Sequence, residues 1–288
     1  MSASGEHTQV STAERSWRTR RLDPDHSLGL RLTLAGTAAF LVLVPFALLL
    51  LLVLAAWPPL YRLDASVTDA LHGYALDHPA WVRLMSVWTE VFAPNPLRGA
   101  ALVVVIWLLL RRARRLALWV VTTMVVGGLL GPLLKLLVGR HRPEVLDPVA
   151  RAAGFSFPSG HALNAALAAG VLLLVFLPYA RDRRPLRWVL WTLAVVLAVV
   201  TGLSRIALGV HWTSDVLGGW LLGIAVVVAT SAAFTTWRTD TGRRPVKTVR
   251  EGVEPELAEP ATAPDRGAAS DAPSWNCRRP GETRRERA

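Results

Sequence analysis

Long runs of apolar residues, almost free of charge, recur along this chain, and nothing constrains its fold more. A bilayer core about 30 Å thick is crossed by a helix of roughly 20 apolar residues. Such runs fall at 32–57, 97–110, 116–138, 162–178, 186–208 and 213–234, the second being the shortest. Of 288 residues, 52% are hydrophobic and 18% charged. A water-soluble domain of that composition would scatter its apolar residues, and a disordered chain would lack them, so blocks of this kind exclude both. The first run is too long and too far from the N-terminus for a cleaved signal peptide. A single cysteine, Cys277, excludes a disulfide framework or a cysteine metal site. The expectation is an all-α bundle of six transmembrane helices.

The formal net charge is +11, and its placement argues for topology rather than nucleic-acid binding. Arg15, Arg18, Arg20, Arg21 and Arg31 precede the first span, and Arg111, Arg112, Arg114 and Arg115 separate the second from the third. Arg181, Arg183, Arg184 and Arg187 separate the fourth from the fifth, and Arg238, Arg243, Arg244 and Lys247 follow the sixth. Six spans put all four clusters on one side, which the positive-inside rule makes cytoplasmic, with both termini. Between the first two spans, residues 67–92 mix apolar groups with Asp69, His72, Asp77, Arg83 and Glu90. They read as amphipathic helices at the outer interface. Residues 1–30 form a basic N-terminal segment and 31–235 the membrane domain. The proline-rich, mixed-charge stretch 236–288 reads as a disordered cytoplasmic tail.

Ionisable groups at membrane depth are costly and mark function by default. They gather at the outer span ends: Lys135 and Arg142 around the end of the third, and Ser159, Gly160 and His161 opening the fourth. Arg205 ends the fifth, and His211 and Asp215 bracket the entry to the sixth. Singly, each has a structural explanation: a lysine or arginine as interfacial anchor, Ser159 or Asp215 as helix cap, His211 as a satisfied core histidine. His141, His72 and the remaining histidines stay in that structural class. Jointly, three cations on one face describe an anion pocket, with arginine forks matched to phosphate oxygens. Ser159 and Gly160 add a helix N-terminus, where backbone N–H groups and the dipole favour a phosphate. His161 and His211 supply a proton donor and a nucleophile, and Asp215 can accept the other imidazole N–H of His211 and fix its tautomer. A metal held by His161, His211 and Asp215 is disfavoured by the nearby cations, so neither metal nor cofactor is expected.

These residues resemble the three motifs of the type 2 phosphatidic acid phosphatase (PAP2) superfamily. Lys135 through Arg142-Pro143 is similar to the first motif and Pro158-Ser159-Gly160-His161 to the second. Ser204-Arg205 through His211 to Asp215 is similar to the third. The resemblance covers about 30–235 and implies a PAP2/haloperoxidase-like core. It also implies a phosphatase in which His211 forms a phosphohistidine, oriented by Asp215, with His161 as general acid. Lys135, Arg142, Ser159, Gly160 and Arg205 would bind phosphate. The implied substrate is a lipid phosphate or pyrophosphate in the membrane, with undecaprenyl pyrophosphate leading and phosphatidic acid or phosphatidylglycerophosphate as alternatives. Soluble vanadium haloperoxidases share the motifs but not the apolar spans. A non-hydrolytic phospholipid binder or transporter would not need both histidines.

Overall fold

The computed structural model describes residues 27–144, 149–150 and 152–240, and these are helical with no strand among them. Eight α-helices follow in order. They are α1 (Ser27–Leu54), α2 (Pro58–Asp77), α3 (Pro79–Val91), α4 (Pro94–Leu110), α5 (Arg114–Val138), α6 (Gly160–Phe176), α7 (Arg184–Ala207) and α8 (Thr213–Asp240). A 3-10 turn, Leu177–Ala180, extends α6. The bundle is all-α, as the apolar runs require. The tail beyond residue 240 and the first 26 residues lie outside the described part.

Proline sets the breaks in the N-terminal half. Pro58, Pro79 and Pro94 each open a helix, where the missing N–H is no loss and the fixed φ suits the first turn. The preceding residues are pushed out of helical geometry. One long apolar stretch is thereby cut into successive helices. α2 turns 91° from the 40–54 part of α1, whereas α3 and α4 meet at 41°. α5, α6 with its 3-10 extension, α7 and the 213–234 part of α8 are each long and apolar enough to cross a bilayer alone. The count rises to six if each bent pair is one span. The short second run of the sequence is therefore α4, and α3 can lengthen it into one bent crossing.

α2 begins nine residues before the expected amphipathic stretch. Its buried side chains are Asp64, Thr68, His72 and Ala75, a stripe at helical spacing. α6 is the central helix, with Ala162 through Leu167 all buried. Glycine lets its neighbours approach, as in membrane bundles generally. A Cβ at Gly219 of α8 would stand 2.6 Å from the Ser159 carbonyl oxygen, and one at Gly131 of α5 would stand 2.8 Å from Leu163. Large apolar side chains such as Phe40, Leu129, Leu136 and Leu193 point outward, as a lipid-facing surface demands. Hydrogen bonds join helices inside, among them Thr123–Thr230 at 2.9 Å and Trp88 to Thr201 at 3.1 Å.

Candidate active site

Up-and-down connectivity brings four helix ends to one end of the bundle. Lys135 lies in the last turn of α5 and Ser159 caps α6; Arg205 lies in the last turn of α7 and Asp215 in the first turn of α8. The arginine-rich turns 111–115 and 181–187 lie at the opposite end, because each joins the far ends of the same helices. Gly139 ends α5 in the left-handed region at φ +62°, the usual glycine device for a helix stop. The described residues 140–144 and 152–159 then lie against the site. Gly209, at φ +67°, makes the second tight turn and delivers His211 to the pocket.

His211 is 2% exposed and Asp215 fully buried. His211 Nδ1 lies 3.3 Å from Asp215 Oδ2, and Arg142 Nη1 lies 3.1 Å from His211 Nε2. A guanidinium has no acceptor to offer, so Nε2 must be the acceptor and Nδ1 must carry the proton donated to Asp215. That tautomer presents the lone pair of Nε2 beside the cations. Burial lowers the His211 pKa from 6.5 to about 4, against the hydrogen bond and charge of Asp215, which raise it. The imidazole is neutral at pH 7. Burial likewise lowers the pKa of Arg142, with Asp215 opposing.

The carboxylate of Asp215 has three further tasks. Oδ2 accepts the Trp212 N–H at 2.9 Å, which makes Asp215 a cap for α8 as well as a partner for histidine. Oδ1 accepts Arg140 Nη1 at 2.7 Å and stands 3.5 Å from the Ser156 hydroxyl. The Asp215 backbone carbonyl accepts the Ser159 N–H at 2.9 Å. This corrects one detail of the anion-site expectation: the Ser159 N–H is occupied, so the backbone donors that α6 can offer begin at Gly160.

The remaining site residues gather as the spacing implied. His161 lies within Coulombic reach of Arg205, His211, Lys135 and Arg142, and Lys135 within reach of Arg142, Asp215 and Arg205. Lys135 Nζ donates to the Phe155 carbonyl at 2.8 Å. Arg142 donates to the carbonyls of Ala153, Gly154, Phe155 and Val210, so it clamps the 153–155 segment against the His211 turn. Arg205 Nη1 donates to Thr89 Oγ1 of α3 at 2.9 Å. Its Nε and the Ser159 hydroxyl are buried without a partner among the described residues. Polar atoms left this way are costly unless a ligand completes them. Both belong to the set assigned to phosphate binding.

Sequence reasoning missed a second tier. Arg140 bridges Asp215 and, through Nη2 at 2.7 Å, Asp64 of α2. Asp64 is fully buried. Its carboxylate also accepts the backbone N–H of Ser214 at 2.9 Å and the Ser214 hydroxyl. Arg140 Nη1 reaches Ser214 Oγ at 2.6 Å, and its guanidinium lies 5.5 Å from the centre of the Trp212 ring. The available signal was an aspartate heading the otherwise weakly polar stripe of α2. His141 stays structural: its carbonyl accepts from Trp212 Nε1 and the Ser156 hydroxyl. His72 is buried with both ring nitrogens unpartnered among the described residues, which its structural assignment did not anticipate. A cavity of about 540 Å³ lies beside the site, lined in part by Trp57, Tyr61, Arg140, Arg142 and Trp212. Neither His161 nor His211 lines it, but Arg142 does.

This is a helical bundle with apolar spans that holds a buried histidine–aspartate pair beside Arg142. Residues 116–239 match the model of the PAP2 superfamily, and this segment holds all three motifs. It is 40% identical over 99 residues to phosphatidylglycerophosphatase B of Bacillus subtilis, covering 33% of this chain and 47% of the relative. It is 34% identical over 123 residues to the undecaprenyl-diphosphatase of Sulfolobus acidocaldarius, covering 40% and 54%. A lipid A 1-phosphatase of Rhizobium etli is 31% identical over 121 residues, covering 37% and 47%. The chain thus spans about half the length of the curated relatives it matches. The crystal structure of a transmembrane PAP2-type phosphatidylglycerolphosphate phosphatase from Bacillus subtilis superposes with a TM-score of 0.58 at 26% identity. That match covers 71% of this chain and 98% of the other.

Proposed function

We propose that the protein is a lipid phosphatase that hydrolyses a membrane lipid phosphate or pyrophosphate through a phosphohistidine. The observation that carries this reading is the tautomer of His211. With Nδ1–H on Asp215 and Nε2 beside Arg142, the nucleophilic lone pair faces the cations that would hold a phosphate. Nε2 attacks phosphorus as the P–O bond to the lipid opens. Lys135, Arg142 and Arg205 and the first-turn N–H groups of α6 take the charge on the equatorial oxygens. Asp215 stabilises the imidazolium that forms. His161 protonates the departing oxygen, then takes a proton from the water that splits the P–N bond, which returns both histidines to their starting state.

The leading substrate is undecaprenyl pyrophosphate, with phosphatidylglycerophosphate and phosphatidic acid as alternatives. The relatives named for the first two support that set. In this reading the chain is a multi-pass protein of the cell membrane, with both termini cytoplasmic and the site at the outer face. The arginine turns at the end of the bundle remote from the site support that orientation.

The test is phosphate release by the purified full chain in detergent with excess chelator. The panel is an isoprenyl diphosphate, phosphatidylglycerophosphate and phosphatidic acid, with His211→Ala as blank. His211→Ala is expected to lose at least about a thousandfold in rate while keeping its elution profile. An acid-labile, alkali-stable phosphoenzyme should form on wild type alone. Substantial turnover by the variant removes His211 as nucleophile. No release from any lipid by folded wild type removes hydrolysis.

A further inference from the structure

Arg98 is a cation at membrane depth that the three motifs do not use. It lies four residues into α4, about 6 Å along the helix from Pro94. A solitary arginine so placed ordinarily snorkels outward to the head groups. Arg98 is exposed, but its guanidinium is tied sideways to the bundle instead of free. Its Nε donates to Asn164 Oδ1 of the central helix α6 at 3.3 Å. Its Nη2 stands 3.7 Å from where a Cβ at Gly128 of α5 would be, so the guanidinium lies over a position that carries no side chain. Asn164 is 3% exposed and donates through Nδ2 to the Gly160 carbonyl at 2.8 Å. One buried amide therefore ties Arg98 to the residue that opens the phosphate-binding helix.

Register places Arg98 beneath the pocket. Asn164 is one turn of α6 deeper than Gly160 and His161, about 6 Å. Gly128 is two turns deeper than Lys135 along the same side of α5. Asn164 is the hydrogen-bond partner of Arg98 among the described residues, and no carboxylate there pairs with it. A guanidinium has five donors, so a fork is left open in the crevice between α4, α5 and α6, where α4 packs on both neighbours. Exposed at the rim of that crevice, its open donors can take an anion from the bilayer.

We propose that Arg98, held by Asn164, is a subsite for a second phosphate of the lipid substrate. This rests on the hydrolytic reading above. When the reacting phosphate sits at His211, the rest of the lipid must descend into the membrane. An isoprenyl diphosphate then presents its inner phosphate towards Arg98, and phosphatidylglycerophosphate presents its phosphodiester. Phosphatidic acid, whose single phosphate is the one cleaved, presents only ester carbonyls. Arg98 therefore selects lipids with two phosphates over lipids with one.

The test compares kcat and KM of wild type, Arg98→Lys and Arg98→Gln, as purified full chains, on an isoprenyl diphosphate, phosphatidylglycerophosphate and phosphatidic acid. Arg98→Gln should lose about tenfold or more in kcat/KM on the two-phosphate lipids, chiefly through KM, and much less on phosphatidic acid. Arg98→Lys, which keeps the charge but not the fork, should fall between. A loss on one two-phosphate lipid alone upholds the subsite and identifies its source. Equal losses on all three lipids, or none on any, overturn it. Wild type should also be inhibited about tenfold more strongly by methylenebisphosphonate than by methylphosphonate. Equal inhibition overturns the subsite even if Arg98→Gln does not survive purification. Wild type that hydrolyses no lipid refutes the function itself, a result distinct from any of these.

Discussion

The C-terminal half, α5–α8 and the segments that join them, carries every residue that the motifs name. The N-terminal helices α1–α4 carry none, yet Asp64 of α2, Thr89 of α3 and Arg98 of α4 all reach the site or its margin. The two halves meet the pocket in different ways. In the C-terminal half each functional group sits at a helix end or in a segment joining two, where backbone polarity and tight turns fix it. In the N-terminal half each group projects from within a helix and acts on a side chain of the other half. The comparison teaches that the chemistry is local to one half, while its alignment is shared by both.

Asp215→Asn breaks the comparison on its chemical side and should have the largest effect. The amide can no longer accept from His211 Nδ1, Trp212 N–H and Arg140 together, and the wrong imidazole tautomer is favoured. A loss of about a thousandfold in kcat is expected, with little change in KM. A loss below about tenfold would show that His211 is oriented without Asp215.

Asp64→Asn tests the alignment side. The buried Asp64–Arg140–Asp215 chain has one arginine between two fully buried carboxylates, and removing one charge leaves the arginine underpaired. Unfolding stability should fall by about 3 kcal/mol. kcat should fall about tenfold, and Asp64→Asn combined with Asp215→Asn should be strongly non-additive. Additive losses would separate α2 from the catalytic pair and confine the alignment to the C-terminal half.

How much of this was legible follows the same division. Lys135, Arg142, Ser159, His161, Arg205, His211 and Asp215 fall within one stretch of chain, at spacings fixed by helix ends. Span boundaries and motif spacing alone therefore brought them together. Asp64 lies 76 positions from Arg140, and no periodicity pairs charges across that distance; only the packing of α2 on α7 and α8 does. The elbow was hidden for a related reason. The apolar run ends at Trp57, but a run boundary does not say how sharply the chain turns. Ala56 at φ +47° and Pro58 lie at the break where it bends by 91°. The occupied N–H of Ser159 was likewise invisible, because its acceptor is a backbone carbonyl of α8.

The pH dependence of stability sharpens the comparison further, since His211 is a titrating group that burial in the C-terminal half has shifted. Its folded pKa of about 4 lies below the ordinary 6.5. Between those values the unfolded chain binds more protons than the folded one, so stability rises with pH there. The contribution is complete above about pH 6.5 and is lost as pH falls towards 4. Melting temperatures between pH 8 and pH 4.5 should therefore drop more steeply for wild type than for His211→Gln. Parallel curves would mean that His211 is not held neutral by burial.

Thr89→Val asks how far the N-terminal half governs the cations. Thr89 Oγ1 accepts from Arg205 Nη1, and the Nε of that arginine has no partner among the described residues. Valine keeps the volume and removes the acceptor, so Arg205 Nη1 is left to solvent or to the phosphate. A bound phosphate can satisfy that donor, which limits the loss to about threefold in kcat/KM. The loss should appear in KM, because the arginine must be drawn into place at each binding event instead of waiting there. A fall in kcat of the size expected for Asp64→Asn would mean that α3 aligns the reaction as closely as α2 does. The N-terminal half would then bear on phosphate charge as well as on the histidine.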